Sequence, residues 1–121
     1  MNRDYFLTFA RYNRWANGRL YEAAATLSAE ALSLHRPAAF FRSLIGTLNH
    51  IVVADRIWLG RFEGLPQPHR ALDEEPYPEL AALQAARAAE DARIERYVEG
   101  LSDAAIAGDL TYSTTRGVPQ R

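Results

Sequence analysis

Residues 40–62 read FFRSLIGTLNHIVVADRIWLGRF, and this stretch decides the fold of the chain. At about 100° per residue, its large apolar side chains fall on one side of a helix: Leu44, Leu48, Ile51, Trp58 and Phe62. A second stripe, about a third of a turn away, contains Thr47, His50, Ala54 and Ile57. Such a helix contacts more than one neighbour, so the pattern predicts the core helix of a bundle. We expect Trp58 to be buried and His50 to face protein or a cavity rather than bulk water.

Asp55 interrupts the apolar side of this core helix. A carboxylate without a partner is costly to bury, so we expect a basic or hydrogen-bonding group from another helix to meet it. The candidates lie on a later helical segment, where Arg87, Glu90 and Asp91 interrupt a thin apolar stripe.

Composition predicts one ordinary globular domain that covers residues 1–121. The chain has 48% hydrophobic and 24% charged residues, and 14 basic against 15 acidic side chains give a formal charge of −1. No overall field attracts nucleic acid or an anionic membrane, so neither is expected as a partner. The chain has no cysteine, and its amino-terminal segment has no long apolar run. These features predict a cytoplasmic protein without a signal peptide or membrane span.

Two further long helices and several connections are predicted around the core helix. The first helix runs from about Arg3 to Leu27, with one stripe formed by Phe6, Phe9, Asn13, Ala16, Leu20, Ala24 and Leu27. Asn13 and Asn17 are predicted to hydrogen-bond a neighbouring helix. A connection at residues 28–37, with a cap at Ser28, leads to the core helix, and a proline-rich loop follows it. The third helix has Pro78 in its first turn and ends at Gly100. Residues 103–121 form either a short strand pair or an ordered loop.

The chain resembles the DinB-like metal-binding four-helix bundles, a superfamily that includes thiol-dependent S-transferases and isomerases. The resemblance rests on YNRWANGRLYEAA from Tyr12, on SLIGTLNHIVVADRIWLGRF at residues 43–62, and on a loop with Ser113, Arg116 and Gly117. It implies an all-α, up-down helical bundle, with three long helices present and the fourth missing from this chain. The single domain would then be incomplete at its carboxyl end.

In that family, the histidine of the block L-x-H-I-x-x-A-D/E-x-x-W is a metal ligand, and it matches His50. The resemblance therefore implies a divalent metal such as Zn²⁺ or Ni²⁺. The family's other two ligands form an H-x-x-x-H pair on the fourth helix, so this chain alone is not expected to be occupied. His35 and His69 lie beyond the ends of the core helix, each of which is roughly 15–18 Å from His50 along the axis, and neither loop is expected to fold back that far.

Two functions from different classes are compatible with these observations. The first is a metal-dependent enzyme of the DinB-like superfamily, a thiol-dependent transferase or hydrolase acting on a small molecule or a low-molecular-weight thiol. In it Trp58 and Tyr12 shape an apolar pocket, and no residue is assigned as general base. The alternative is a non-catalytic helical dimerisation module. An uncovered groove lined by His50, Ala54 and Ile57 predicts a homodimer in either case.

Other candidate sites in the sequence are weaker. The acidic run at residues 73–75 lacks the spacing of a cation site and is interpreted as a solvated loop. Ser43 and Ser113 have no histidine and acid arranged to activate them. The aromatic residues Tyr5, Tyr12, Trp15, Tyr21 and Trp58 are interpreted as packing residues with polar tips, because the chain is not basic enough for a base-stacking surface.

Overall fold

A computed structural model describes residues 2–121, and helices dominate it. The elements in chain order are α1 (Arg3–Ala24), α2 (Ala29–Ser33), α3 (Leu44–Glu63), α4 (Leu80–Glu99), α5 (Asp103–Ala107), β1 (Tyr112–Ser113) and β2 (Pro119–Gln120). The helix α4 packs against both α1 and α3, while α2 packs on α3. The all-α prediction with three long helices is confirmed. Within residues 2–121, no helix has both the length and the apolarity needed to cross a bilayer.

Side-chain caps explain where four of the helices begin. Asn2, Ser28, Ser43 and Ser102 each accept a hydrogen bond from the backbone N–H three residues later, at 3.0–3.1 Å. The predicted cap at Ser28 is therefore confirmed. Helix α1 ends at Ala24 rather than at Leu27, and α4 begins at Leu80, so Pro78 precedes that helix instead of lying in its first turn.

Glycine residues end two of the long helices and form the turn in the last segment. Gly64 ends α3 in the left-handed conformation at φ 71°, and the Leu65 N–H donates to the Gly60 carbonyl at 2.8 Å. Gly100 ends α4 as predicted. Strands β1 and β2 pair antiparallel, with Tyr112 opposite Gln120, and Gly117 at φ 83° lies in the turn between them. Of the two predicted forms of this segment, the strand pair is the one observed.

The core lies where α2, α3 and α4 meet the carboxyl end of α1. Its buried members are Tyr21, Ala24, Leu32, Ile45, Leu48, Val52 and Leu83, with Tyr77 and Leu80 packed against them. Leu83 and Val52 are fully buried and come from α4 and α3. The positions of these two residues therefore define the inward faces of α4 and α3.

Two predictions of burial are wrong. Trp58 is 42% exposed and Phe62 is 48% exposed. The Trp58 ring packs at the edge of the fold, 5.2 Å from the Tyr112 ring, with the Arg61 guanidinium 4.4 Å from its centroid. Apolar residues surround most of α3, so periodicity alone could not show which of its sides the other elements cover.

The predicted stripe of α1 is also displaced around the helix. Phe9 is 55% exposed, whereas Ala10, Asn17 and Tyr21 are buried. Asn17 donates to a buried carboxylate on α4, and this polar contact turns the side of α1 with Ala10, Asn17 and Tyr21 inward. Four aromatic side chains of its first four turns, Tyr5, Phe9, Tyr12 and Trp15, are left exposed.

We predict that Leu83→Ala destabilises the fold by about 2–5 kcal/mol, because it opens a cavity in the centre of the core. The matched control is Leu72→Ala, since Leu72 is about half exposed and its truncation should cost less than about 1 kcal/mol. Urea denaturation of both variants measures the difference. Equal losses would contradict the placement of the core.

Candidate functional site

The imidazole of His50 lies on the side of α3 between an aromatic ring and a backbone carbonyl. Its ring is half-buried and stacks on Phe41, with 3.8 Å between centroids and 14° between planes. Its Nδ1 lies 3.0 Å from the Leu72 carbonyl oxygen. Because a carbonyl only accepts hydrogen bonds, Nδ1 carries the proton and the lone pair of the neutral ring is on Nε2. His50 is thus oriented as metal-binding histidines commonly are, with Nε2 free to ligate.

The loop that supplies this carbonyl, residues 65–79, is held by the residue next to His50. Asn49 is fully buried, and its amide donates to the Tyr77 carbonyl at 2.8 Å and accepts from the Tyr77 N–H at 2.9 Å. Arg56 adds a bond of 2.6 Å to the Tyr77 hydroxyl. The expectation that no loop folds back to His50 is therefore wrong. The contact that the loop makes is through the Leu72 carbonyl.

His69 and the acidic run stabilise this loop from within. His69 is buried, with its Nδ1 3.4 Å from the Glu74 carboxylate. Asp73 and Glu75 each lie 3.4 Å from the Arg42 guanidinium. Residues 73–75 lie in a loop as interpreted, and their carboxylates contact Arg42 and His69.

The residues present do not form a complete metal site around His50. Among residues 2–121, no three His, Cys, Asp or Glu side chains lie close enough together to hold a metal ion. His69 is engaged with Glu74, and His35 is exposed before the core helix. A divalent centre normally takes three protein ligands, and among residues 2–121 no group of three such side chains includes His50. No chemical step can be derived through a metal from these residues.

A buried polar network connects the three long helices beside this site. Arg87 on α4 lies 2.6 Å from Asp55 on α3 and 2.7 Å from Asp91 on its own helix. The amides of Asn13 and Asn17 on α1 each donate to Asp91 at 3.1 Å. The predicted basic partner of Asp55 is thus Arg87. The predicted contact of both asparagines with a neighbouring helix is also confirmed.

Burial and charge act against each other in this network. Burial raises the pKa of Asp91, and the adjacent Arg87 and Asn17 oppose that rise. Burial alone would lower the pKa of Arg87, but the Asp55 and Asp91 carboxylates outweigh it and hold the pKa above its usual value. Burial also raises the pKa of Tyr21 to about 12, so its phenol stays neutral. Arg87 is therefore a permanent buried cation shared by two carboxylates.

A cavity of about 630 Å³ opens on the other side of α3, between α1, α4 and α5. Its wall includes Asp55, Trp58, Phe62 and Tyr97, but not His50. Trp58 lines this cavity, but the predicted pocket was one beside a metal held by His50, and His50 is not part of this wall. Tyr12, the other residue predicted to shape that pocket, is not part of this wall either.

Sequence reasoning missed the loop contacts and the cavity. One signal for the loop was available, since a buried asparagine in an apolar helix needs partners for its amide, and Asn49 could have been recognised on that ground. Nothing in the sequence indicates that the Leu72 carbonyl reaches His50. The contribution of α5 to the cavity depends on tertiary packing and has no local signal.

A sequence model of the DinB family matches residues 1–120, and the chain therefore belongs to the DinB family. No curated protein and no solved structure matches the chain. The resemblance seen in the sequence is thus confirmed at the level of the family.

We predict that Arg87→Met destabilises the protein by about 3–5 kcal/mol near neutral pH, because it leaves Asp91 buried without a cation. The Asp91 pKa is already raised by burial, and loss of Arg87 raises it further. A carboxyl with a higher pKa in the folded chain favours folding as pH falls. The deficit should therefore be complete above the folded pKa of Asp91 and shrink as pH falls toward its ordinary value.

Urea denaturation across a pH series tests this prediction, with Arg42→Met as the control. The Arg42 side chain makes two ion pairs and one hydrogen bond to the Asp73 carbonyl, all exposed, so its loss should cost less than about 1 kcal/mol. Equal losses for the two variants, or an Arg87→Met deficit that does not shrink in acid, would contradict the buried network.

We also predict that Asn49→Ala alters the tautomer of His50. The variant leaves the backbone groups of Tyr77 without partners, which should cost about 1–3 kcal/mol and release the loop from the imidazole. Nitrogen NMR of the neutral histidine should show Nδ1–H in the parent protein and a mixture of tautomers in the variant. Gln67→Ala, an exposed change in the same loop, is the control. An unchanged His50 tautomer in Asn49→Ala would refute the role of this anchor.

Proposed function

We propose that the protein is a metal-dependent enzyme of the DinB-like superfamily, a thiol-dependent transferase or hydrolase that acts on a small molecule. His50 supplies one ligand to a divalent ion, Zn²⁺ or Ni²⁺, and the other ligands come from outside residues 2–121. A low-molecular-weight thiol is the proposed co-substrate. The absence of cysteine fits a reducing compartment, and we propose the cytoplasm as its location.

The observation that carries this proposal is the hydrogen bond between His50 and Leu72. This hydrogen bond selects the tautomer with the proton on Nδ1, so that the lone pair of Nε2 is available, and the stacked Phe41 ring limits rotation of the imidazole. A histidine that served only packing would not require this arrangement at the family's ligand position. Membership of the DinB family supports the same assignment.

We predict that the 121-residue chain alone binds Zn²⁺ or Ni²⁺ weakly, because one imidazole cannot hold a divalent ion tightly. Calorimetric titration should show that His50→Ala removes this weak binding and that His35→Ala leaves it unchanged. His50→Ala should also cost far less stability than a core truncation, since the His50 side chain is only partly buried. Tight one-to-one binding that survives His50→Ala would show the ligand assignment to be wrong.

We propose homodimerisation as a second candidate function, with or without catalysis. The predicted groove does not support it, because Ile57 is only 1% exposed. Its support is instead a row of exposed aromatic side chains along the outer side of α1: Tyr5, Phe9, Tyr12 and Trp15. Tyr5, Phe9 and Tyr12 recur at helical spacing, so they form one continuous apolar face. A face of this kind is seldom left open in a soluble monomer, and a two-fold dimer would cover it on both copies.

Sedimentation equilibrium at micromolar concentration should show a dimer. Phe9→Ser combined with Trp15→Ser should shift the protein toward monomer without loss of helix, because both side chains are more than half exposed. Arg11→Ser on the same helix is the control. A stable, well-folded parent monomer over this concentration range would overturn the association.

A further inference from the structure

The cavity between α1, α3, α4 and α5 has the size and lining of a small-molecule site. Its volume of about 630 Å³ falls within the range usual for ligand pockets, and most of its wall is apolar. Phe62 and Tyr97 stack with 6.0 Å between centroids, and the Trp58 ring lies 6.1 Å from Phe62. Three aromatic rings therefore form one side of the cavity.

The charged groups in the wall of this cavity are both carboxylates, those of Asp55 and Asp109. Arg121 pairs with Asp109 at the exposed rim. Asp55 is deeper, with a third of its side chain exposed, and its bond to Arg87 engages only Oδ2. Its second oxygen, Oδ1, can thus accept a hydrogen bond from a molecule in the cavity.

Arg87 does not neutralise this region completely. The single guanidinium is shared between Asp55 and Asp91, which lie 2.6 Å and 2.7 Å from the same nitrogen. With both acids ionised, one guanidinium faces two carboxylates within this cluster, and another cation beside the wall, Arg61, lies on the Trp58 ring, 4.4 Å from its centroid. Asn13 and Asn17 offer neutral donors to Asp91 and do not change this balance.

We propose that this cavity binds an apolar organic amine. The ammonium group would donate to Oδ1 of Asp55, and the apolar body would lie against Trp58, Phe62 and Tyr97. Aromatic faces attract cations, and the carboxylate adds a directed hydrogen bond, so both features select the same ligand chemistry. His50 has no part in this site, which is independent of any metal.

Fluorescence can test the proposal, because the chain has two tryptophans and only one of them lines the cavity. In Trp15→Phe, Trp58 is the remaining reporter. The probes are phenethylamine, the uncharged phenethyl alcohol and the anionic hydrocinnamate, each titrated at neutral pH with a chelator present. We expect saturable changes with the amine, roughly tenfold weaker binding of the alcohol, and no binding of the anion.

Three substitutions in the Trp15→Phe background locate the bound probe. Asp55→Asn should abolish the preference for amine over alcohol, and Ala105→Phe should block both by filling the wall from α5. Ala105→Phe leaves the Asp55–Arg87 pair intact, so it remains informative if Asp55→Asn does not fold. Asp73→Asn, an acidic residue outside the cavity, should change nothing. The proposal is overturned if the alcohol binds as tightly as the amine, if no probe gives a saturable change, or if Ala105→Phe leaves amine binding intact.

Discussion

The buried guanidinium of Arg87 is the interaction on which the arrangement of the three long helices depends. It stands on α4 between Asp55 of α3 and Asp91 of its own helix, and Asn13 and Asn17 of α1 complete the bonds to Asp91. A buried carboxylate without these partners would be costly, so other rotations of the helices are penalised. The apolar core favours association of the helices, and this network selects which of their faces meet.

The ion pair of Asp55 fixes the rotation of α3 about its axis, and this rotation also determines the direction of His50. His50 precedes Asp55 by five residues, which places the two side chains about 140° apart around the helix. Asp55 therefore faces α4 and the cavity, whereas His50 faces the loop held by Asn49 and Tyr77. Helix α3 thus separates His50 from the apolar cavity. A substitution in the cavity wall therefore does not directly contact His50, and a substitution of His50 does not directly contact the cavity.

The sequence predicted the helices and the polar partner of Asp55 better than it predicted which apolar side chains are buried. The three helices, the cap at Ser28, the stop at Gly100 and a basic partner for Asp55 follow from local chemistry and from the cost of a buried charge. Trp58 and Phe9 were misplaced because α1 and α3 carry apolar residues on more than one side. Which side is covered depends on partners that are distant in sequence. The return of the loop to His50 was missed for the same reason.

The central claim is that Asp55 on α3 and Asn17 on α1 belong to one network through Arg87 and Asp91. A double-mutant cycle with Asp55→Ala and Asn17→Ala, measured by urea denaturation at neutral pH, tests it most directly. The two side chains bond to different members of the network, so independent sites would give additive losses. We predict a coupling free energy of about 1–3 kcal/mol. Losses that add to within about 0.5 kcal/mol would contradict the claim that this network joins the helices.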